Sequence, residues 1–339
     1  MTQVDVLILG ASGYGGGELL RWLSNHPAVA SLRGTARSHA GKPFHAQHPN
    51  LRGLVDGVFE ATPDFEALAA SPAPVLFSAL PHGELGKLWP ELEAAAQTHP
   101  GLLERLTVID LSADFRLDPA WVYGLVDWQP ERMAGAKRIA NPGCFATALQ
   151  LALLPLAEWQ PAFVAVTAAT GSSGSGAALS ETTHHPVRAH DFKAYKILSH
   201  QHEAEVLRTL ATAGWEAPLS FVPQSAPMVR GIFAVAQFPL PAGIGLEALR
   251  AHFEAFYEGR FFVRIVDGTP RVAATVGSAF AELAVAAKGG HGAILVALDN
   301  LGKGMATQAV QNLNLARACP SGPACAARGA GPPESMRDP

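Results

Sequence analysis

The residue best suited to covalent chemistry is Cys144, which stands where a tight turn leads into a run of helix-forming residues. Pro142 and Gly143 favour the turn, because proline fixes φ and glycine tolerates the φ that remains. The first N–H groups of a helix lack partners within it, and the helix dipole favours negative charge there, so a thiol at this position ionises more readily. We interpret Cys144 as a nucleophile, with a buried structural thiol as the alternative.

Two histidines could move protons beside such a nucleophile near neutral pH. His200 and His202 immediately precede Glu203 to Leu210, a segment whose composition predicts a helix. For each of them, a packed or surface histidine is the alternative. The residues alone do not rank the two rings as acid/base.

The elements that must position these groups include a nucleotide-binding unit near the start of the chain. Val4 to Leu9 is predicted to be a buried strand, and a helix is predicted from Glu18. Between them, glycines form a variant of the fingerprint with which a turn and a helix N-terminus hold a pyrophosphate. A tight turn without a ligand is the alternative. We predict dinucleotide contacts from Gly10, Ser12, Gly13, Tyr14 and Gly16.

The charges that follow this turn favour NADP(H) as the cofactor. An NAD site needs a carboxylate on the ribose about 20 residues further on. Here no Asp or Glu occurs between Glu18 and Asp56. Cations and a hydroxyl occupy this stretch instead, and they suit a 2′-phosphate. We predict that Arg37 and Ser38 contact it, whereas Arg33 could equally be a surface charge.

Length and composition exclude several classes of protein. A chain of 339 residues predicts two domains. The formal net charge of −4 gives no indication of nucleic acid binding, and no apolar run resembles a membrane span. Three cysteines argue against a disulfide framework, and no Cys and His spacing indicates a metal site. The N-terminal residues lack the features of a signal peptide, so we expect a cytoplasmic protein.

The segment Asn-Pro-Gly-Cys-Phe-Ala-Thr-Ala at 141–148 resembles the active-site signature of the N-acetyl-gamma-glutamyl-phosphate reductase family. The resemblance implies that Cys144 attacks an acyl phosphate, that His202 is the general acid/base, and that His200 supports it near the nicotinamide. At Val126-Asp127 the sequence departs from the family, in which Pro-Glu is usual. Matching segments follow the family's order from Val4 to Leu315: Arg37–Lys42, Asp110–Arg116, the His-x-His of 200–202, Arg230–Ile232 and Asp299–Gly304.

Further site residues are predicted from these segments and from the loop 170–176, which is rich in Gly and Ser and offers N–H groups to an anion. A flexible surface loop is the alternative. The additional cofactor contacts are Gly174 and Asn300. The predicted substrate contacts are Arg116, Asn141, Lys193 and Arg230. The alternatives are a structural Asp114–Arg116 pair and a surface charge at Arg230. Lys303 could meet a cofactor phosphate or be a solvated residue of a helix-capping turn.

The predicted fold is α/β, with a Rossmann-type doubly wound nucleotide domain and an α+β substrate and dimerisation domain. The first domain spans residues 1–147 and, by resemblance, is completed by a helix within 300–318. The second spans residues 148–299. Residues 319–339 are rich in Pro, Gly, Ala and Arg, so we expect a disordered tail in which Cys319 and Cys325 are incidental thiols.

The resemblance implies NADPH-dependent reduction of N-acetyl-L-glutamyl 5-phosphate to N-acetyl-L-glutamate 5-semialdehyde and phosphate, through a Cys thioester, in arginine biosynthesis. The expected partners are this small-molecule acyl phosphate and further copies of the chain, in a dimer or tetramer. One alternative is a carrier-linked aminoadipyl phosphate reductase of lysine biosynthesis, because 49–53 and 184–188 resemble that relative. A non-catalytic NADP-sensing regulator is the alternative from another class, but it would lack the Cys and His groups.

Overall fold

The computed structural model describes residues 3–319, so most of the predicted tail, including Cys325, lies outside the described residues. The strands are β1 (Val4–Leu9), β2 (Val29–Thr35), β3 (Phe59–Glu60), β4 (Pro74–Ser78), β5 (Thr107–Asp110), β6 (Val122–Tyr123), β7 (Arg138–Ala140), β8 (Val164–Thr170), β9 (Lys193–Ala194), β10 (Leu219–Ser225), β11 (Ile232–Pro239), β12 (Val263–Ile265), β13 (Ala281–Lys288) and β14 (His291–Leu298). The α-helices are α1 (Tyr14–Leu23), α2 (Phe44–Gln47), α3 (Phe65–Ala70), α4 (Glu84–Thr98), α5 (Leu102–Arg105), α6 (Cys144–Leu153), α7 (His185–Arg188), α8 (Gln201–Thr212), α9 (Leu246–Phe256), α10 (Val272–Thr275) and α11 (Thr307–Ala316).

Of the described residues, the first of two compact units contains those up to Val126, then Pro130–Asn141, and those from Ala306. Its sheet is parallel throughout, in the order β3-β2-β1-β4-β5-β7-β6. Strands β4 and β5 are buried at every residue, as expected for strands covered on both faces. The strand order reverses between β1 and β4, and open α/β sheets bind ligands beyond the strand ends at such a point. The predicted Rossmann-type domain is confirmed.

The second unit contains Asp127–Gln129 and Pro142–Met305, so Cys144 belongs to it. Its sheet is mixed, in the order β12-β13-β14-β11-β8-β10-β9. The pairs β8–β10 and β12–β13 are parallel, and the other neighbours are antiparallel. Helix α6 packs against α8 and against strands β11 and β14. This arrangement confirms the predicted α+β class of the second half.

The predicted start of the first helix differs from the structure. Helix α1 begins at Tyr14 rather than Glu18, so glycines occupy its first turn. Glycine is needed at position 16, because a Cβ added there would lie 2.5 Å from the Ala11 Cα. Residues 228–231 lie in the bend before β11, with Gly231 at φ +109°. Among residues 3–319, no helix combines the length and apolar character that crossing a bilayer requires.

Candidate active site

Cys144 is the first residue of α6, as the turn signal predicted, and Gly143 is the N-cap. No side chain caps this N-terminus, and its first turn contains no acidic residue. The amides that begin the helix have no carbonyl partner within it, and their dipole favours negative charge on a nearby sulfur. Cys144 is half-buried, whereas the following residues of α6 are buried. This placement favours a nucleophile over a sealed structural thiol.

Glu205 supports the turn before Cys144, and the sequence analysis did not identify it. Its Oε1 accepts the N–H of Gly143 at 2.7 Å, and the residue is 4% exposed. Gln150 of α6 also donates to the Glu205 carbonyl, at 3.5 Å. Helix α8 is therefore bonded to α6 at the turn before Cys144. The available signal was a Glu one helical turn after His202, since residues three apart lie on one helix face.

A wide helical turn, Gly302–Ala306, brings backbone against Cys144. The Gly304 N–H bonds to the Asp299 carbonyl at 2.9 Å, five residues back, which is the π-helical spacing. A Cβ added at Gly304 would lie 2.8 Å from the Cys144 Cβ, so the close approach requires glycine.

Lys303, within this turn, has neither of the two predicted environments. Its side chain is fully buried, and Nζ lies 2.6 Å from Oδ2 of Asp127. Both the solvated lysine and the lysine that reaches a cofactor phosphate are therefore wrong. The sequence could not show this, because the two partners are far apart in the chain.

His200 and His202 meet at the start of α8. His200 is the N-cap, and its Nδ1 accepts the His202 N–H at 3.2 Å. The two ring centroids are 4.6 Å apart, and they lie 5.5 and 6.2 Å from the ring of Phe145. Because Phe145 follows Cys144, the structure brings both histidines to the start of α6. Burial, reinforced by Lys196, lowers the pKa of His200 from 6.5 to about 4, so this ring is neutral at pH 7.

Tyr195 joins the same group, although no sequence signal selected it. Its ring centroid lies 5.8 Å from that of His200. Burial and then the negative charge of Cys144 raise the pKa of Tyr195, so its hydroxyl stays protonated and able to donate. Lys196 and Leu198, between Tyr195 and His200, adopt φ of +43° and +51°. Such conformations are strained for non-glycine residues, and strain of this kind clusters at functional sites.

Three other predicted residues of the second unit gather around the turn after β14. Arg230 pairs with Asp299 at 2.6 Å. Asn300 accepts the Gly231 N–H at 2.6 Å and donates to Ser173 Oγ at 2.9 Å. A Cβ added at Gly174 would lie 3.8 Å from the Asn300 Nδ2.

Lys193, a predicted substrate contact, lies on the edge strand β9. Its ammonium is 3.0 Å from Asp191, and half of the side chain is exposed. The structure shows it in an ion pair and does not bring it into the turn around Asp299.

The Gly-rich turn of the first unit has the geometry of an anion site. Helix α1 starts after the N-cap Gly13 without a side-chain cap and without a carboxylate in its first turn. Gly10 has φ +71°, and an added Cβ would lie 2.7 Å from the carbonyl oxygen of Ala79, just beyond β4. A Cβ added at Gly13 would meet only the Gly10 oxygen, at 3.5 Å. The open backbone at this helix N-terminus fits a pyrophosphate.

The predicted phosphate contacts after β2 have different surroundings. Arg37 and Ser38 are exposed on a short 3-10 turn, Arg37–His39. Arg33 is instead bonded to Glu60 at 2.7 Å and lies 3.1 Å from Asp64. Arg33 therefore has a structural pairing, and the exposed cation nearest the end of β2 in sequence is Arg37.

Asn141 and Arg116, two predicted substrate contacts, are buried in the first unit. Arg116 Nε donates to the Asn141 carbonyl at 2.9 Å, and an Nη of Arg116 donates to the Leu111 carbonyl at 3.0 Å. Asn312 of α11 donates to the Asn141 Oδ1 at 3.1 Å. These bonds give both residues a role in holding the chain that leads to Pro142. Within the part of the chain that the structure describes, no cluster of three or more His, Cys, Asp or Glu could hold a metal ion.

Two family models match the chain. Residues 5–136 match the semialdehyde dehydrogenase NAD-binding domain, and residues 144–300 match the semialdehyde dehydrogenase dimerisation domain. These matches support a nicotinamide cofactor for the first half and oligomerisation through the second.

Curated relatives extend along most of the chain. The N-acetyl-gamma-glutamyl-phosphate reductase of Methanosarcina barkeri is 38% identical, over 91% of this chain and 94% of the relative. The reductase of the same name from Acidothermus cellulolyticus is 39% identical, over 93% and 95%. Among solved structures, the aspartate semialdehyde dehydrogenase II of Vibrio cholerae has a TM-score of 0.71 at 17% identity, covering 94% of this chain and 99% of that one. The similarity to the Vibrio cholerae structure shows a shared fold.

Proposed function

Because the chain belongs to the N-acetyl-gamma-glutamyl-phosphate reductase family, we propose that it reduces N-acetyl-L-glutamyl 5-phosphate to N-acetyl-L-glutamate 5-semialdehyde and phosphate with NADPH, in arginine biosynthesis. The observation that carries the proposal is the position of Cys144 at the uncapped N-terminus of α6, with His200 and His202 packed around the adjacent Phe145. The names of the relatives do not favour the carrier-linked alternative.

Cys144 begins the reaction as a thiolate. It attacks the carbon of the acyl phosphate, and the first amides of α6 hold the oxyanion that forms. When the carbonyl re-forms, the bond from carbon to the phosphate oxygen breaks, and phosphate leaves with the electron pair. The acyl group then remains on Cys144 as a thioester. Glu205 keeps the Gly143 N–H, and with it the turn, in place throughout.

NADPH, when bound, supplies the hydride that reduces the thioester carbonyl. His202 gives a proton to the alkoxide, forming a thiohemiacetal, and takes it back as the C–S bond breaks. The products are the aldehyde and the Cys144 thiolate. His200 is suited to support rather than to acid catalysis, because its pKa of about 4 leaves the ring neutral and its Nδ1 accepts the His202 N–H.

The preference for NADPH is supported by the exposed Arg37 and Ser38 after β2 and by the absence of carboxylates between Glu18 and Asp56 in the sequence. Arg37→Ala should raise KM for NADPH about tenfold with KM for NADH little changed, as expected for the loss of one charge-assisted bond. Arg52→Ala, which removes another exposed cation of this unit, is the matched control. Equal effects on both cofactors would contradict the assignment to the 2′-phosphate.

The proposed assembly is a homo-oligomer in the cytoplasm. It is supported by the match to a dimerisation domain and by half-buried apolar residues, such as Phe233 and Val235, that alternate with buried positions along β11. Light scattering that gave the mass of a single chain at micromolar concentration would contradict it.

The test of the reaction is the reverse assay. Purified protein is given N-acetyl-L-glutamate 5-semialdehyde, inorganic phosphate and NADP⁺, and NADPH is followed by absorbance. We expect turnover that requires phosphate and is much weaker with NAD⁺. Turnover only with the carrier-linked aminoadipate semialdehyde would replace the substrate, and NADP⁺ binding without turnover of either aldehyde would favour a regulator.

A further inference from the structure

Asp127 and Lys303 form a buried ion pair in the second unit. The Nζ–Oδ2 distance is 2.6 Å, and the two side chains are 0% and 5% exposed for Lys303 and Asp127 respectively. The ring centroid of Phe262 lies 5.8 Å from Nζ. Burial lowers the pKa of Lys303, and Asp127 opposes this. Two desolvated charges in such surroundings depend on each other, because removal of one partner leaves an uncompensated buried charge.

The two glycines beside Lys303 have close contacts with neighbouring residues. A Cβ added at Gly302 would collide with the Ser278 carbonyl oxygen, and a Cβ added at Gly304 would lie 2.8 Å from the Cys144 Cβ. The backbone therefore fits tightly on both sides of Lys303. Lys303, whose side chain is paired with Asp127, lies between these two close approaches.

A residue close to Asp127 also contacts the C-terminal end of α6. Asp127–Gln129 is a short piece of the second unit whose flanking residues belong to the first. Trp128 stacks on Phe256 at 5.8 Å, and the charge of Asp127 acts on the neighbouring Tyr257. The Tyr257 hydroxyl donates to the Leu151 carbonyl at 2.6 Å. The ion pair therefore neighbours two contacts with α6, one from Gly304 at its start and one from Tyr257 near its end.

We propose that Asp127 and Lys303 are positioning residues for Cys144, holding the Gly302–Ala306 turn against the nucleophile so that its sulfur keeps one orientation at the α6 N-terminus. In this proposal both residues act through the turn and not on the reacting atoms. The inference rests on the proposed function of Cys144, because a fixed sulfur matters only if that atom attacks the substrate.

The test separates positioning from stability by comparing Lys303→Met with the double variant Lys303→Met/Asp127→Leu. The single variant leaves a lone buried carboxylate, whereas the double variant replaces the pair by apolar groups and should melt near the wild-type temperature. We expect kcat in the reverse assay to fall ten- to a hundredfold in both, with KM for NADP⁺ within about twofold, because small misplacements of reacting groups have effects of this size. Arg250→Gln, which breaks an exposed pair with Glu254 on α9, is the matched control and should change neither quantity.

A second readout follows the sulfur itself. The rate of Cys144 alkylation by iodoacetamide is measured against pH by mass spectrometry of its peptide, and both variants should need a higher pH for half-maximal rate. A double variant that regains wild-type melting, kcat and alkylation together would overturn the proposal, as would a folded single variant with an unchanged alkylation profile. Wild-type protein without turnover would refute the proposed function instead, while the alkylation profiles would still decide on the ion pair.

Discussion

Helices α1 and α6 begin in the same way, and we propose different chemical roles for them. Each has a glycine N-cap, no side-chain cap and no carboxylate in its first turn. The backbone at Gly13 is open, so negative charge must come from a ligand. At α6 the N-cap N–H is bound to Glu205, and the chain's own Cys144 follows. An uncapped helix N-terminus attracts an anion in either case, and the packing around it decides whether that anion is a ligand or a side chain.

The largest effect should come from removing the Cys144 thiolate at the start of α6. Cys144→Ser exchanges the thiolate for a hydroxyl that ionises far less readily, so kcat should fall about 10³-fold or more. NADP⁺ affinity, measured by calorimetry, should stay within twofold, because α1 carries the proposed cofactor contacts. The buried Cys319 gives the control variant, Cys319→Ser. Normal phosphate-dependent turnover by Cys144→Ser would exclude the covalent route.

The neutral His200 near the start of α6 should make folding stability depend on pH. Its pKa is lowered from 6.5 to about 4 on folding, so below pH 6.5 the unfolded chain takes up a proton that the folded chain does not. This contribution is present above pH 6.5 and is lost as the pH falls towards 4, by at most about 3 kcal/mol. His200→Asn, which retains a capping acceptor, should flatten the urea-unfolding free energy over this range. The exposed His291→Asn is the control, and equal slopes for wild type and His200→Asn would contradict the prediction.

Removing the support of the α6 turn should have a smaller effect. Glu205→Ala leaves the buried Gly143 N–H without its acceptor, which should cost about 2 kcal/mol of unfolding free energy in urea titration. Glu205→Gln keeps an acceptor and should lose about half as much. Glu258→Ala, at an exposed position, is the control. If Glu205→Ala unfolded at the wild-type urea concentration, the bond to Gly143 would not stabilise the turn.

The smallest effect should come from a substitution in the first turn of α1, and it should be on NADP⁺ affinity. Gly16→Ala places a Cβ 2.5 Å from the Ala11 Cα, so the turn must shift and NADP⁺ affinity should fall about tenfold, or about 1.4 kcal/mol. Alkylation of Cys144 should not change. Gly86→Ala, where an added Cβ has no neighbour within 4 Å, is the matched control. A Gly16→Ala protein with wild-type affinity would show that this turn does not carry the dinucleotide.

Charged residues were the least predictable part of the site. Arg33 was one of the cations considered for a phosphate, yet it pairs with Glu60, the last residue of β3, and with Asp64 shortly after that strand. The sequence predicted that Lys303 is a surface or phosphate-binding residue, but in the structure it is buried and paired with Asp127. The type of a charged residue gives its sign but not its partner, and long side chains reach partners that no local pattern indicates.

Local chain chemistry determined that a helix follows each glycine turn, because glycine, proline and helix-forming residues act on their immediate neighbours. It placed Cys144 at the head of α6 but did not place the start of α1, which is Tyr14 rather than Glu18. Only the tertiary structure decided what packs at the start of α6: the Glu205 carboxylate that accepts the Gly143 N–H, Gly304 against the Cys144 Cβ, and the turn of Gly304 whose Lys303 is paired with Asp127. These contacts join segments far apart in the chain, and the geometry between such segments exists only once both sheets and their helices have packed.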